Sequence, residues 1–173
     1  FQRWAPSEPS LPGIKAGGVW SPEEVLRREA RLGDAGVVYD EGSNWRGVGT
    51  AWALAEAGKK VTIVTPEPYV GKELARTAAD GVVRRRLGAL GARMLPEHRL
   101  VRWHSNGVTV RSFLTGEEEV VPASGLVMAT TNRAFDPLPE AIAGKVMHRI
   151  GDCAAPRLAA YAFHEGRKLG LAL

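Results

Sequence analysis

A single cysteine, Cys153, leaves this 173-residue chain without an internal disulfide and without an iron-sulfur or zinc cluster built from its own thiolates. It has no apolar run near the roughly 18 residues a membrane span needs, and no charged-then-apolar leader opens it. A cytoplasmic chain with no membrane partner is therefore expected. Charge of one sign is scarce as well: 23 Lys and Arg stand against 19 Asp and Glu, and the net +4 is spread thinly. Neither an acidic tail nor a nucleic-acid surface follows from that balance. The densest basic cluster, Arg84 to Arg86, falls in a helical pattern and reads first as a solvated face, with an anion contact as the alternative. His98, His104, His148 and His164 share no metal-ligand spacing, so no metal site is expected.

What the chain does have is 45% hydrophobic residues, enough for one well-buried core or two small ones. The opening on Phe1 and the proline-rich, aperiodic first twenty residues are expected to be a linker cut from something longer. Residues 21–145 then read as one α/β domain. Ser21, Pro22 and Glu24 make a capping box with proline at the first helical position, and the helix is expected to run to about Leu32 and close at Gly33. "AGVVY" is a buried strand, Gly47 to Ala57 a small-residue helix ended by Gly58, and "KVTIVT" the next strand. That order is a βαβ unit, whose strands pair in parallel through a right-handed crossover. A helical stretch from about Lys72 to Leu90 follows, with Gly81 as a candidate interruption. Period-2 alternation around Asn106-Gly107 and Thr115-Gly116 predicts a small antiparallel meander, and "GLVMAT" a strand returning to the main sheet. Residues 146–173 read as a short strand, a Gly-Asp turn and a helix from about Pro156 to Leu171. The fold expected is a Rossmann-like, three-layer α/β domain: a parallel sheet flanked by helices, with a small antiparallel meander.

The chemistry centres on "VVYDEGSNWRGVGTAWALAEAGKKVTIVT". A Gly-x-Gly-x-x-Gly fingerprint turns tightly at its first glycine, admits a pyrophosphate at the second, and packs helix against strand at the third. Here Gly42 and Gly47 hold the outer places and Asn44 the middle one, where its side chain takes space a pyrophosphate uses. Thr65 replaces the carboxylate expected at the end of the second strand to receive a ribose hydroxyl. Arg46 is placed to contact a phosphate, whereas Asp40 and Glu41 would repel one. Trp45 is expected to fill the space a nucleotide would take. Gly42, Asn44, Arg46 and Gly47 are thus candidate cofactor contacts at a site that reads first as scaffold. The second constellation is "HRIGDCAAPR": Gly151 and Asp152 end a strand before a helix, where Asp152 would accept from ribityl or ribose hydroxyls and the amides of Ala154 and Ala155 would face phosphate. The plain alternative is a helix cap. Cys153 reads as a small residue packed beneath that turn.

Three segments, "LPGIKAGGVWSPEEVL", "VVYDEGSNWRGVGTAWALAEAGKKVTIVTP" and "IGDCAAPRLAAYAFHEGR", resemble the C-terminal nucleotide-binding-like region of the trimethylamine dehydrogenase and 2,4-dienoyl-CoA reductase group within the Old Yellow Enzyme superfamily. That group includes NADH:flavin oxidoreductases and N-methylproline demethylase-like enzymes. The resemblance implies a parent with an FMN-bearing TIM barrel, a four-cysteine motif for a 4Fe-4S cluster, and two Rossmann-like domains holding FAD, ADP or a nicotinamide nucleotide. The barrel, the cluster cysteines and the substrate pocket would lie outside this sequence, so no catalytic residue carries over and the chain alone is expected to be inactive. What remains corresponds to the NAD(P)-binding-like domain, 21–145, and to a strand and helix, 146–173, that complete the neighbouring FAD or ADP domain. NAD(P)H, ADP and FAD are the candidate cofactors here. The remaining domains of the parent are the implied partners, self-association is plausible through surfaces they would cover, and the other readings are a vestigial scaffold or a free-standing nucleotide-sensing domain.

Overall fold

The computed structural model describes residues 11–136 and 146–173. The first ten residues of the expected linker, together with residues 137–145, lie outside them. The described residues divide into two compact units, the larger 11–130 and the smaller 131–136 with 146–173.

In the larger unit five strands form a parallel sheet: β1 (Val19–Trp20), β2 (Ala35–Asp40), β3 (Lys60–Val64), β4 (Arg93–Leu95) and β8 (Gly125–Ala129), in the order β1-β8-β2-β3-β4. The expected βαβ unit is there: α2 (Trp45–Glu56) carries the chain from β2 to β3, which pair in parallel from Ala35 with Lys60 to Tyr39 with Val64. Because side chains alternate across a strand, Val38, Val61, Ile63 and Val127 share one face. They form the core with Val48, Ala51, Leu54 and Ala55 of α2, and with Val83 and Leu87 of α3 (Asp80–Ala89). Val37, Val64, Leu126 and Met128 on the opposite face are equally buried. The antiparallel meander also forms, from β5 (His98–His104), β6 (Gly107–Ser112) and β7 (Glu118–Pro122), and β5 packs against β3. Helices, parallel sheet and meander make the three-layer α/β architecture.

Local chemistry moves several boundaries. The capping box at Ser21 is complete: Glu24 donates its amide to Ser21 Oγ at 3.2 Å, and Glu24 Oε2 accepts from the Ser21 amide at 2.8 Å. Yet α1 spans only Pro22–Leu26 instead of reaching Leu32. Arg28 adopts φ 62, and the amides of Arg28 and Glu29 bond Val25 O and Glu24 O, which is a Schellman closure on a residue other than glycine. The long helix expected from Lys72 is two pieces, a 3-10 turn at Lys72–Thr77 and α3, parted by Ala78 at φ 55 and not by Gly81. "RML", for which no element was expected, joins the parallel sheet as β4. Val19 and Trp20, within the expected linker, pair with Leu126 and Val127 as an edge strand. In the smaller unit α4 begins at Ala159, not Pro156. Residues 146–150 form no strand, since among the described residues of that unit there is no strand to pair with them.

Candidate functional site

From β2 the chain proceeds to β3 and β4 on one side and returns as β8 on the other, so the strand order reverses at β2. Ligands of open α/β sheets bind at such a reversal, beyond the carboxyl ends of the strands. Four of the six candidate residues, Gly42, Asn44, Arg46 and Gly47, lie there, in the turn from β2 into α2.

Each has a partner in this chain. Asn44 is the N-cap of α2: its Oδ1 accepts from the Arg46 amide at 2.9 Å, and Val48 bonds its carbonyl at 3.0 Å. A Cβ on Gly42 would lie 2.5 Å from Asn44 Nδ2, so glycine there makes room for the Asn44 amide. Arg46 donates through Nε to Glu23 Oε1 at 2.7 Å, through Nη2 to Glu23 Oε2 at 2.9 Å, and through Nη1 to Thr130 O at 2.6 Å. The fork that sequence reasoning offered to a phosphate thus clamps α1 and the end of β8 to α2. Its guanidinium holds the Glu23 carboxyl below the usual carboxylate range. Gly47 packs directly on Asp40: a Cβ there would fall 2.2 Å from Asp40 Oδ1.

Two further residues shape the turn. Ser43, fully buried at φ 46, donates through Oγ to Tyr69 O at 3.1 Å and accepts from the amides of Gly71 and Lys72 at 2.9 and 3.0 Å. It binds the loop after β3 to the loop after β2, a role sequence reasoning missed because a lone serine carries no signal of a partner 26 residues away. Asp40, which the sequence had marked only as a repelling charge, is fully buried and paired in register with Ala129. Neither of its carboxylate oxygens, nor the buried Thr130 hydroxyl, meets a hydrogen-bond donor or acceptor in bonding geometry. Burial pushes the Asp40 carboxyl up to about 7, while the nearby Asn44 and Ser43 backbone amides and the charge of Arg46 offset only part of that shift. Trp45 does not fill the crevice as expected: its side chain is 52% exposed, and the Asp40 carboxyl occupies the space beneath the turn instead. Thr65, in the place of the ribose-binding carboxylate, bonds the Glu67 amide through Oγ1 at 3.3 Å.

Gly151 and Asp152 lie in the smaller unit, in the 3-10 turn Gly151–Cys153. The Gly151 amide donates to Glu165 Oε2 of α4 at 2.7 Å. The amides of Ala154 and Ala155, expected to face phosphate, both bond Gly151 O, at 3.0 and 2.9 Å. Asp152 is exposed, and Cys153 donates through Sγ to Ile150 O at 3.0 Å. The β2-to-α2 turn is filled from within the chain, by the Asn44 cap and by the Asp40 carboxyl against Gly47.

This α/β architecture, with its sheet reversal and fingerprint-like turn, has the fold of FAD- and NAD(P)-binding domains. No protein-family model matches the sequence, and no curated protein matches it. Solved structures do. Histamine dehydrogenase from Rhizobium sp. 4-9 matches with a TM-score of 0.83 and 26% identity over 92% of this chain. The 6-hydroxypseudooxynicotine amine oxidase from Pseudomonas geniculata N1 matches with a TM-score of 0.84 and 28% identity over 97%. A 2-naphthoyl-CoA reductase matches with a TM-score of 0.78 and 26% identity over 99%. The chain spans 26%, 27% and 26% of their respective lengths, a partial region of each. It is thus similar, along nearly its whole length, to part of oxidoreductases of the trimethylamine dehydrogenase and 2,4-dienoyl-CoA reductase group. Among the described residues no helix is long and apolar enough to cross a membrane.

Proposed function

We propose that this chain is the C-terminal nucleotide-binding-like module of a cytoplasmic flavin-dependent oxidoreductase of the amine dehydrogenase or enoate reductase type, and that it serves there as a scaffold instead of a nicotinamide site. Residues 21–145 are the NAD(P)-binding-like domain of that parent, and 146–173 complete a neighbouring FAD or ADP domain. FMN, a 4Fe-4S cluster and all catalytic residues belong to the rest of the parent, whose barrel and second nucleotide domain are this module's partners. The observation that carries the scaffold reading is the self-filled turn: Asn44 caps α2, Arg46 clamps Glu23 and Thr130, and the Asp40 carboxyl abuts Gly47. Gly151 and Asp152 are, on this reading, half of a site whose other half lies in the neighbouring domain, which accords with Asp152 being exposed.

Calorimetric titration of the chain with NADH, NADPH, ADP and FAD at pH 8 tests the reading. Silence with both nicotinamides is expected, and micromolar binding of either one would overturn the scaffold role.

A further inference from the structure

A strand at the edge of a sheet offers its backbone donors and acceptors to any second strand, and folded proteins ordinarily blunt such edges with charge or proline. β7 is an outer strand of the meander, paired with β6 on one side only. The Ser112 amide bonds Glu117 O and the Ala123 amide bonds Asn106 O, so the backbone groups of Glu117, Glu119, Val121 and Ala123 face β6. Those of Glu118, Val120 and Pro122 therefore point outward, and no backbone group among the described residues bonds them there. Val120 stands at the middle of this edge, 61% exposed. The charges that would guard the edge are matched within the chain: Glu118 pairs with Arg111 of β6, and Glu119 with Arg93 of β4 at 2.9 Å. Beside it the β6-to-β7 turn is held by its own hydrogen bonds, Ser112 Oγ accepting from the amides of Leu114 and Thr115 at 3.2 and 3.3 Å, and leaves Phe113 and Leu114 exposed. The strand is thus open, apolar at its centre and neutral.

We propose that β7 pairs with β7 of a second copy of this chain, antiparallel about a two-fold axis at Val120, so that the two meanders join into one continuous sheet. Charge sets the register. With Val120 opposite Val120 of the second copy, Glu118 falls opposite Pro122 and Glu119 opposite Val121, and no carboxylate faces another. An axis at Glu118 or Glu119 would set two carboxylates face to face, and a parallel mate in register would run all of them side by side, both of which destabilise a sheet. An axis at Val121 or Pro122 shortens the ladder, because Pro122 has no amide to donate. About Val120, its amide in each chain donates to its carbonyl in the other, and each Glu118 amide donates to the Pro122 carbonyl across the axis. The shared edge is 5 residues long, too short for the roughly 1,000 Å² that a stable interface clears, so the pair forms at high concentration and parts on dilution. The pairing is independent of the scaffold reading.

The test mixes isotope-labelled and unlabelled 173-residue chain at millimolar concentration and reads proton contacts that cross from one chain to the other. In antiparallel strands the α-protons of a pair that exchanges no hydrogen bonds come close, so a contact from Glu119 Hα to Val121 Hα of the second copy is expected, fading on dilution to the micromolar range. Its absence, or contacts from β7 to any other segment in its place, overturns the proposal. Val120→Lys and Val120→Glu each set like charges across the axis and should lose the contact, and mixing the two variants should restore it, since lysine then faces glutamate. Either variant keeping the contact alone, or a mixture that fails to restore it, overturns the pairing. Should a variant fail to fold, the wild type suffices: the amides of Glu118 and Val120 must exchange more slowly at millimolar than at micromolar concentration, and unchanged exchange overturns the proposal. Phe163→Glu with Leu171→Glu, which disrupts association through α4, should leave the contact in place, and its loss there would overturn pairing through β7.

Discussion

Asp40 sets the pH dependence of stability at the residue scale. Its carboxyl rises from an ordinary 3.8 to about 7 on folding, so the folded state holds a proton that the unfolded state releases. This contribution favours the folded chain at the acid end of the window, is lost as pH rises from about 4 to 7, and is level above that. Between pH 5 and pH 8 wild type should lose roughly 2–3 kcal/mol relative to Asp40→Asn, at about 1.4 kcal/mol per pH unit. Urea unfolding of both proteins at the two pH values measures it; a constant difference between them would contradict a buried ionisation. Gly47→Ala should cost about 1–3 kcal/mol by overpacking against Asp40. In an Asp40→Gly background, which removes the Cβ as well as the carboxyl, most of that cost should vanish, and a double-mutant cycle that shows no coupling would rule the contact out.

Elements show how local signals compete. The capping box of α1 was legible because it is a pattern within four residues, whereas the helix end was not, because Arg28 adopts the left-handed conformation without being glycine. Asn44 was legible as a disturbance of the fingerprint. That it caps α2 could not be separated from that reading, since an asparagine suits an N-cap and obstructs a pyrophosphate equally well. At this scale Trp103 ties β5 to the segment before β1: its amide bonds Pro12 O at 2.9 Å and its Nε1 bonds Gly17 O at 2.8 Å. Trp103→Phe keeps the backbone bond and loses the second, for an expected cost of about 1 kcal/mol. Trp103→Ala, which empties a fully buried site, should cost about 3–5 kcal/mol. Thermal unfolding of the pair separates the hydrogen bond from the packing, and equal losses in both would refute that division.

For the whole molecule the relevant quantity is apolar surface left in solvent. On α4 and its end, Phe163 is 78% exposed, Leu171 78% and Leu173 88%. Large apolar side chains gathered at a surface mark an interaction site or a liability to associate. The chain by itself should self-associate as its concentration rises, and Phe163→Glu with Leu171→Glu should shift it toward monomer. Sedimentation velocity across a concentration series decides this; a wild-type chain that stays monomeric throughout would remove the inference of a covered face.

Alternation of apolar strands with a small-residue helix determined the βαβ unit, and period-2 stretches about Asn106-Gly107 determined the meander, because both patterns are local consequences of side-chain direction. Nearness of residues distant in sequence was decided only by the tertiary structure. Arg46 meets Thr130 across 84 positions, and Asp40 loses its water because β8 returns beside β2 after the meander has intervened. Burial is a property of that return and not of the stretch "VVYDEGSNWRG". The sequence therefore placed a carboxylate near the turn, and the fold turned it into a buried, protonatable group at the end of a helix.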